Sequence, residues 1–66
     1  MDRAELRAEI ARKELTYRSI ATNLNISDTA FYNKLCGKTE FKESEIRKLI
    51  EILEMSADTV NRIFSI

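Results

Sequence analysis

The stretch from Thr16 to Gly37 constrains the fold most, because its residue pattern predicts two short helices joined by a tight turn. Thr16 and Ser27 are residue types that cap helix N-termini, and Gly37 suits the left-handed position that ends a helix. A four-residue turn over 23–26 separates the two helices. Small or apolar residues recur at helical spacing in both: Tyr17, Ile20, Ala21 and Leu24 in the first, and Ala30, Phe31 and Leu35 in the second.

The turn between these helices makes three demands, and the sequence meets each of them. The first helix needs a small residue where the second crosses it, and Ala21 stands there. The turn needs a residue that tolerates positive φ four positions later, and Asn25 is the best non-glycine choice. The second helix needs an N-cap directly after the turn, which Ser27 supplies. We therefore expect Ala21 at the helix crossing and Asn25 in the left-handed region.

Three further helices flank this unit. Asp2 with Glu5 has the spacing of a capping box that opens a first helix, and Ser56 opens the last one. The apolar faces are Leu6 and Ile10 in the first helix, Ile46, Leu49, Ile50 and Leu53 in the fourth, and Val60, Ile63 and Phe64 in the fifth. Proline is absent and there is one glycine, which also favours helices. The sequence predicts one compact all-α domain over residues 1–66, with five helices and no strand.

The composition excludes several function classes. A chain of 66 residues has room for one small core and little else. Histidine is absent and Cys36 is the single cysteine, which removes the usual metal clusters, the commonest general base and an internal disulfide. We therefore expect no enzyme, no cofactor and no metal. No apolar run is long enough for a signal peptide or a membrane span, and a lone thiol suits a reducing cytosol, so we expect a cytoplasmic protein.

The net charge is zero, but the charges are unevenly distributed. Residues 1–11 hold two basic and three acidic residues, and 43–66 hold three basic and five acidic ones. Residues 12–42 hold six basic residues against three acidic ones. The middle of the chain is therefore the basic part. Because nucleic-acid binding draws much of its affinity from phosphate neutralisation, this segment is the one expected to face a nucleic acid.

Residues 15–37, LTYRSIATNLNISDTAFYNKLCG, resemble the helix-turn-helix of phage repressor and Cro proteins, and the continuation through Phe64 resembles that family's fourth and fifth helices. The resemblance implies a lambda-repressor-like fold with the helix-turn-helix at about 17–36. It also implies a recognition helix at about 28–36 that enters the major groove of an operator. In that family the position of Asn25 is usually a glycine, and the position of Tyr17 is usually a glutamine. Glu54 stands where a glycine is common, and a left-handed conformation there would cost on the order of 1 kcal/mol.

The resemblance also assigns roles to individual residues. The expected base contacts are Ser27, Asp28, Thr29, Tyr32 and Asn33, and the expected phosphate contacts are Thr16, Tyr17, Lys38, Thr39 and Lys42. A carboxamide pairs bidentately with adenine, which makes Asn33 the strongest of the base-reading candidates. Some relatives bury an Arg–Glu pair where this chain has Ile10 and Leu35, so these two are expected to pack together. Ile63, Phe64 and Ile66 either form a homodimer contact or, for the first two, close the core.

The sequence thus favours a transcriptional regulator that binds double-stranded operator DNA as a homodimer. A second hypothesis is a protein-interaction module on the same fold, such as an antirepressor that pairs with another regulator. The neutral charge and Asp28 favour the interaction module. Asn33, Lys38 and the basic middle of the chain favour DNA.

Overall fold

The computed structural model describes residues 1–65, and this part of the chain forms five α-helices and no strand. The helices are α1 (Arg3–Arg12), α2 (Tyr17–Leu24), α3 (Asp28–Cys36), α4 (Glu43–Ile52) and α5 (Ala57–Phe64). The predicted all-α architecture with five helices is therefore confirmed. Within residues 1–65 every helix is too short and too polar to cross a membrane.

Four of the five helices begin at a residue whose side-chain oxygen accepts a hydrogen bond from the backbone N–H three residues later. These N-caps are Asp2, Thr16, Ser27 and Ser56, with distances of 3.0 to 3.2 Å. All four were predicted. Each satisfies one of the N–H groups that a helix leaves without an internal partner, a contribution of about 1 kcal/mol.

The remaining helix, α4, begins without such a side chain. It starts after Lys42, whose backbone N–H donates to the Glu45 carboxylate at 2.7 Å. At α1 the reciprocal half of the predicted capping box does not form. The Asp2 N–H donates to the Ile63 carbonyl at 2.7 Å instead, and the Glu5 carboxylate accepts a hydrogen bond from Arg12 at 2.7 Å.

Each of the five helices ends near a residue with positive φ, which is Ser65 (56°) for α5. The other four share one motif, at Glu14 (56°), Asn25 (62°), Gly37 (88°) and Glu54 (48°). In each case the next backbone N–H returns to the carbonyl five residues earlier, as at Ile26 to Ala21 (3.0 Å) and Lys38 to Asn33 (2.9 Å). This is the Schellman motif, which pairs the free carbonyls of a helix end. The left-handed conformations predicted at Asn25 and Gly37 are confirmed, Glu54 also adopts one, and that of Glu14 was not predicted.

The core lies where the five helices meet. Its buried members are Leu6, Ile10, Ile20, Ala21, Phe31, Leu35, Phe41, Leu49, Leu53 and Ile63. Ile10 and Leu35 belong to this one cluster, and Ala21, fully buried, lies on α2, which packs against α3 and α4. The radius of gyration is 10.7 Å, close to the roughly 11 Å expected of a compact domain of this length.

Candidate nucleic-acid interface

The helix α3 has one buried and one open face. Phe31 and Leu35 are completely buried against the core. Asp28, Thr29 and Tyr32 are exposed on the other side, and Ser27 is exposed at the N-cap. Four of the five residues predicted to contact bases therefore lie in solvent along one helix. The fifth, Asn33, is half-buried.

Asn33 combines two roles at the end of α3. Its backbone carbonyl accepts from the N–H groups of Lys38 (2.9 Å) and Thr39 (3.4 Å), which closes the turn after the helix. Its carboxamide forms no hydrogen bond with any residue in the described part of the chain. Because a buried amide without a partner is costly, the half-exposed carboxamide of Asn33 is satisfied by solvent or by a bound ligand.

Tyr32 is the most exposed large apolar side chain of α3, with 54% of its surface accessible. Its interaction with Cys36, one helical turn later, raises the pKa of the Tyr32 phenol above its ordinary value, and the partial loss of solvent adds to the effect. The phenol is therefore neutral at physiological pH. It offers both a donor and an acceptor to a neighbouring surface.

The predicted phosphate contacts form two groups on the surface. Thr16 and Tyr17 lie at the start of α2, and Lys38, Thr39 and Lys42 lie in the loop between α3 and α4; all five are exposed. The Tyr17 ring also packs edge-on against Phe31, with centroids 5.8 Å apart, so its position is fixed by the core. Neither lysine forms an ion pair within residues 1–65.

The end of α3 is held by two arginines of α1 that were not among the predicted site residues. The Arg3 Nε donates to the Lys34 carbonyl at 3.3 Å, and its guanidinium lies 3.7 Å from the Glu40 carboxylate. An Arg7 terminal nitrogen donates to the Leu35 carbonyl at 3.5 Å. Cations at these carbonyls complement the negative end of the helix dipole.

Lys34 and Glu45 form an ion pair that links α3 to α4, with 2.6 Å between the lysine Nζ and a carboxylate oxygen. Their side chains are only 12% and 9% exposed. Burial by itself opposes ionisation of Glu45, but the hydrogen bonds from Lys34 and from the Lys42 N–H outweigh it and lower the pKa of Glu45 below its ordinary value. The lysine is accommodated because Glu45 compensates its charge.

The C-terminal residues predicted as a dimer contact lie in different environments. Ile63 is completely buried in the core of the single chain, which favours the core-closing interpretation for this residue. Phe64 is half-buried and packs against the core, and Ile66 lies outside the described residues. A dimer contact thus stays a prediction that concerns Phe64 and its exposed neighbours.

No three acidic or cysteine side chains within residues 1–65 lie close enough to hold one metal ion.

Comparison with protein families gives one match, which covers residues 1–65. The matching family is DUF739, described as a protein of unknown function. Neither the curated proteins nor the solved structures contain a significant match to the sequence. Since the match covers nearly the entire sequence, the chain belongs to the DUF739 family.

Proposed function

We propose that this chain is a sequence-specific regulator of transcription that binds double-stranded DNA, of the phage repressor and Cro type. In this proposal α2 and α3 form a helix-turn-helix in a lambda-repressor-like fold, and α3 enters the major groove. One observation carries it: the α2–α3 unit has the left-handed Asn25, the buried Ala21 and the Ser27 cap that such a crossing demands. The side chains of α3 that this leaves exposed are mostly polar.

The chemistry of this open face suits base edges. Thr29 offers a hydroxyl and a methyl group, Tyr32 a neutral phenol, and Asn33 a carboxamide with no partner among the described residues. Asparagine pairs with the N6 and N7 atoms of adenine through two hydrogen bonds. Lys38 and Lys42 lie directly beyond the helix end, where cations would meet the phosphates that flank the groove.

The neutral net charge bears on affinity. Seven of the eleven basic side chains form an ion pair or donate to a backbone carbonyl within residues 1–65, among them Arg3, Arg7 and Lys34 at the end of α3. Few cations therefore remain to neutralise phosphates, and we expect a shallow dependence of binding on salt. A second copy of the chain on a two-fold operator would double the phosphate contacts, which is why we propose a homodimer on DNA.

A protein-interaction module on the same fold is the second candidate. The observation that favours it is the pair of exposed tyrosines: Tyr17 is 37% and Tyr32 54% exposed, beside a carboxylate at Asp28. Exposed aromatic side chains are typical of protein interfaces. In this case the chain would bind another regulator through α3 and show no preference among duplexes.

Selection of bound sequences from a random duplex library separates the two candidates and supplies the preferred site. On that site, Asn33→Ala is expected to cost roughly 1–3 kcal/mol and to relax the preference at one base pair. Lys38→Ala is expected to weaken all sequences about equally and to lower the salt slope by about one counterion. Fluorescence anisotropy on matched and mismatched duplexes measures both effects.

Two controls keep this test specific. Lys48→Ala removes an exposed lysine of α4 and is expected to leave binding unchanged. Circular dichroism of each variant shows whether it is folded, since a destabilised domain would lose both kinds of binding together. Absence of any duplex binding by the parent chain at about 50 mM salt, where electrostatic binding is strong, would refute the DNA-binding proposal.

A further inference from the structure

An arginine that was not among the predicted DNA contacts lies next to the start of α3. Arg18, in the first turn of α2, is 84% exposed. Its Nε donates to an Oδ atom of Asp28 at 3.3 Å, across the turn that joins the two helices. The pair therefore spans α2 and α3 at the end of α3 that enters the groove in the proposed function.

The geometry of the pair leaves part of the guanidinium free. The carboxylate occupies the Nε edge, and no residue in the described part of the chain accepts a hydrogen bond from the two terminal nitrogens. An arginine side chain is planar, so a partner on one edge also fixes the direction of the other edge. One N–H on each of the two terminal nitrogens contributes to a fork, which matches the O6 and N7 acceptors of guanine.

The neighbouring charge distinguishes a base from a phosphate. Asp28 is 57% exposed and contributes a negative charge beside the guanidinium. A phosphate brought to the same place would be repelled by this carboxylate, whereas a guanine edge is neutral.

We propose that Arg18 reads a guanine in the major groove, and that Asp28 is a positioning residue that holds the guanidinium. Asp28 then acts on the DNA through Arg18 and does not itself contact a base, which differs from the role that the resemblance implied for it. This inference rests on the proposed function and adds to it a specificity-determining residue, together with a guanine near the end of the site contacted by the start of α3.

The test uses the full chain and the preferred duplex from the library selection, with every single base-pair substitution. Arg18→Ala is expected to weaken binding to the preferred duplex about 10- to 100-fold and to abolish the preference for guanine at one position, with the other preferences intact. Arg18→Lys keeps the charge but not the fork, so it is expected to lose the same preference. Asp28→Ala is expected to reduce that preference partly, and to have no further effect when Arg18 is already alanine.

A matched control exists in α4. Arg47 and Glu43 form an equally exposed ion pair, 77% and 80% accessible with 2.7 Å between the atoms, and Arg47→Ala is expected to leave all base preferences unchanged. A loss after Arg18→Ala that is equal for all duplexes would assign Arg18 to a phosphate and overturn the inference. The inference would also be overturned if Asp28→Ala changed the preference at a base pair where Arg18→Ala has no effect. A parent chain without any duplex preference would overturn the proposed function itself, which is a different result.

Discussion

The two ends of α3 are held in opposite ways. At the N-terminal end the contacts are exposed: the Ser27 cap and the Arg18–Asp28 pair, with side chains 84% and 57% accessible. At the C-terminal end the contacts are withdrawn from solvent, since the Lys34–Glu45 pair is 12% and 9% accessible. Arg3 and Arg7 bind backbone carbonyls at the same end.

This difference has an energetic consequence. An exposed ion pair contributes at most about 1 kcal/mol, because water screens it and both side chains lose freedom. A buried ion pair contributes little more stability than an apolar substitute would. Loss of one partner, however, leaves an uncompensated charge that is withdrawn from solvent. The backbone at the C-terminal end of α3 is therefore held by contacts withdrawn from solvent, whereas the side chains that hold the N-terminal end are themselves accessible to a ligand.

The largest expected effect comes from breaking the buried pair. Lys34→Ala leaves Glu45 without its cation and is expected to lower the free energy of unfolding by about 3 kcal/mol. A domain of this length has roughly 3–10 kcal/mol in total, so much of its stability is lost. Arg18→Ala, at the exposed pair, is expected to cost under about 0.5 kcal/mol. Urea unfolding followed by circular dichroism measures both.

The double variant Lys34→Met with Glu45→Gln is the control for this prediction. It removes both charges, keeps similar volumes and retains an acceptor for the Lys42 N–H, so it is expected to recover most of the loss. Equal losses from Lys34→Ala and Arg18→Ala would contradict the distinction between the two ends.

Lowering the pH tests the Lys34–Glu45 pair without a substitution at Lys34. Because the pKa of Glu45 is lowered in the folded chain, ionised Glu45 stabilises the fold above its ordinary pKa, and this contribution is lost as pH falls below that value. We expect the free energy of unfolding to fall on acidification through this range. The Glu45→Gln variant is expected to show a shallower fall, and identical pH profiles for both proteins would contradict the assignment.

The local features of the fold were predictable from the sequence, because they depend on a few adjacent residues. Thr16 and Ser27 cap their helices, and Asn25 and Gly37 end them, as their side chains alone indicate. The left-handed conformation of Glu14 was not predicted, because glutamate has no preference for that region. Its one signal is the apolar Leu15 that follows, as Ile26 follows Asn25 and Met55 follows Glu54.

The contacts that hold the candidate interface were not predictable. Arg3 and Lys34 are 31 positions apart, and Lys34 and Glu45 are 11 apart. Hydrophobic periodicity reports which face of a helix is buried, but it does not report which charged side chains meet across helices. For the same reason Arg18 was missed, since its partner lies on another helix and both side chains look like ordinary solvated charges.

Two left-handed residues, Asn25 and Gly37, lie on either side of α3 and extend the comparison of its two ends. The effects expected there are smaller. A Cβ atom on Gly37 would lie 3.2 Å from the Arg3 guanidinium carbon, and its φ of 88° is unfavourable for an L-residue. Gly37→Ala is therefore expected to cost about 1–2 kcal/mol in urea unfolding. Since Arg3 is the flexible neighbour, Gly37→Ala combined with Arg3→Ala is expected to cost less than the two single variants added together. Strict additivity would show that the strain lies in the backbone alone.

The smallest effect is expected at Asn25, the left-handed residue that precedes α3, because the turn there is exposed. Asn25 already has a side chain, with φ of 62° and ψ of 37°, and asparagine is among the few L-residues that adopt this conformation readily. In Asn25→Gly the relief of this mild strain is opposed by the greater freedom of glycine in the unfolded chain. We expect the free energy of unfolding to change by less than about 0.5 kcal/mol, whereas Asn25→Ala is expected to cost about 1 kcal/mol. Urea unfolding of both variants in one buffer provides the comparison with Gly37→Ala. A loss of more than about 1 kcal/mol in Asn25→Gly would show that the Asn25 side chain stabilises the turn by a contact of its own.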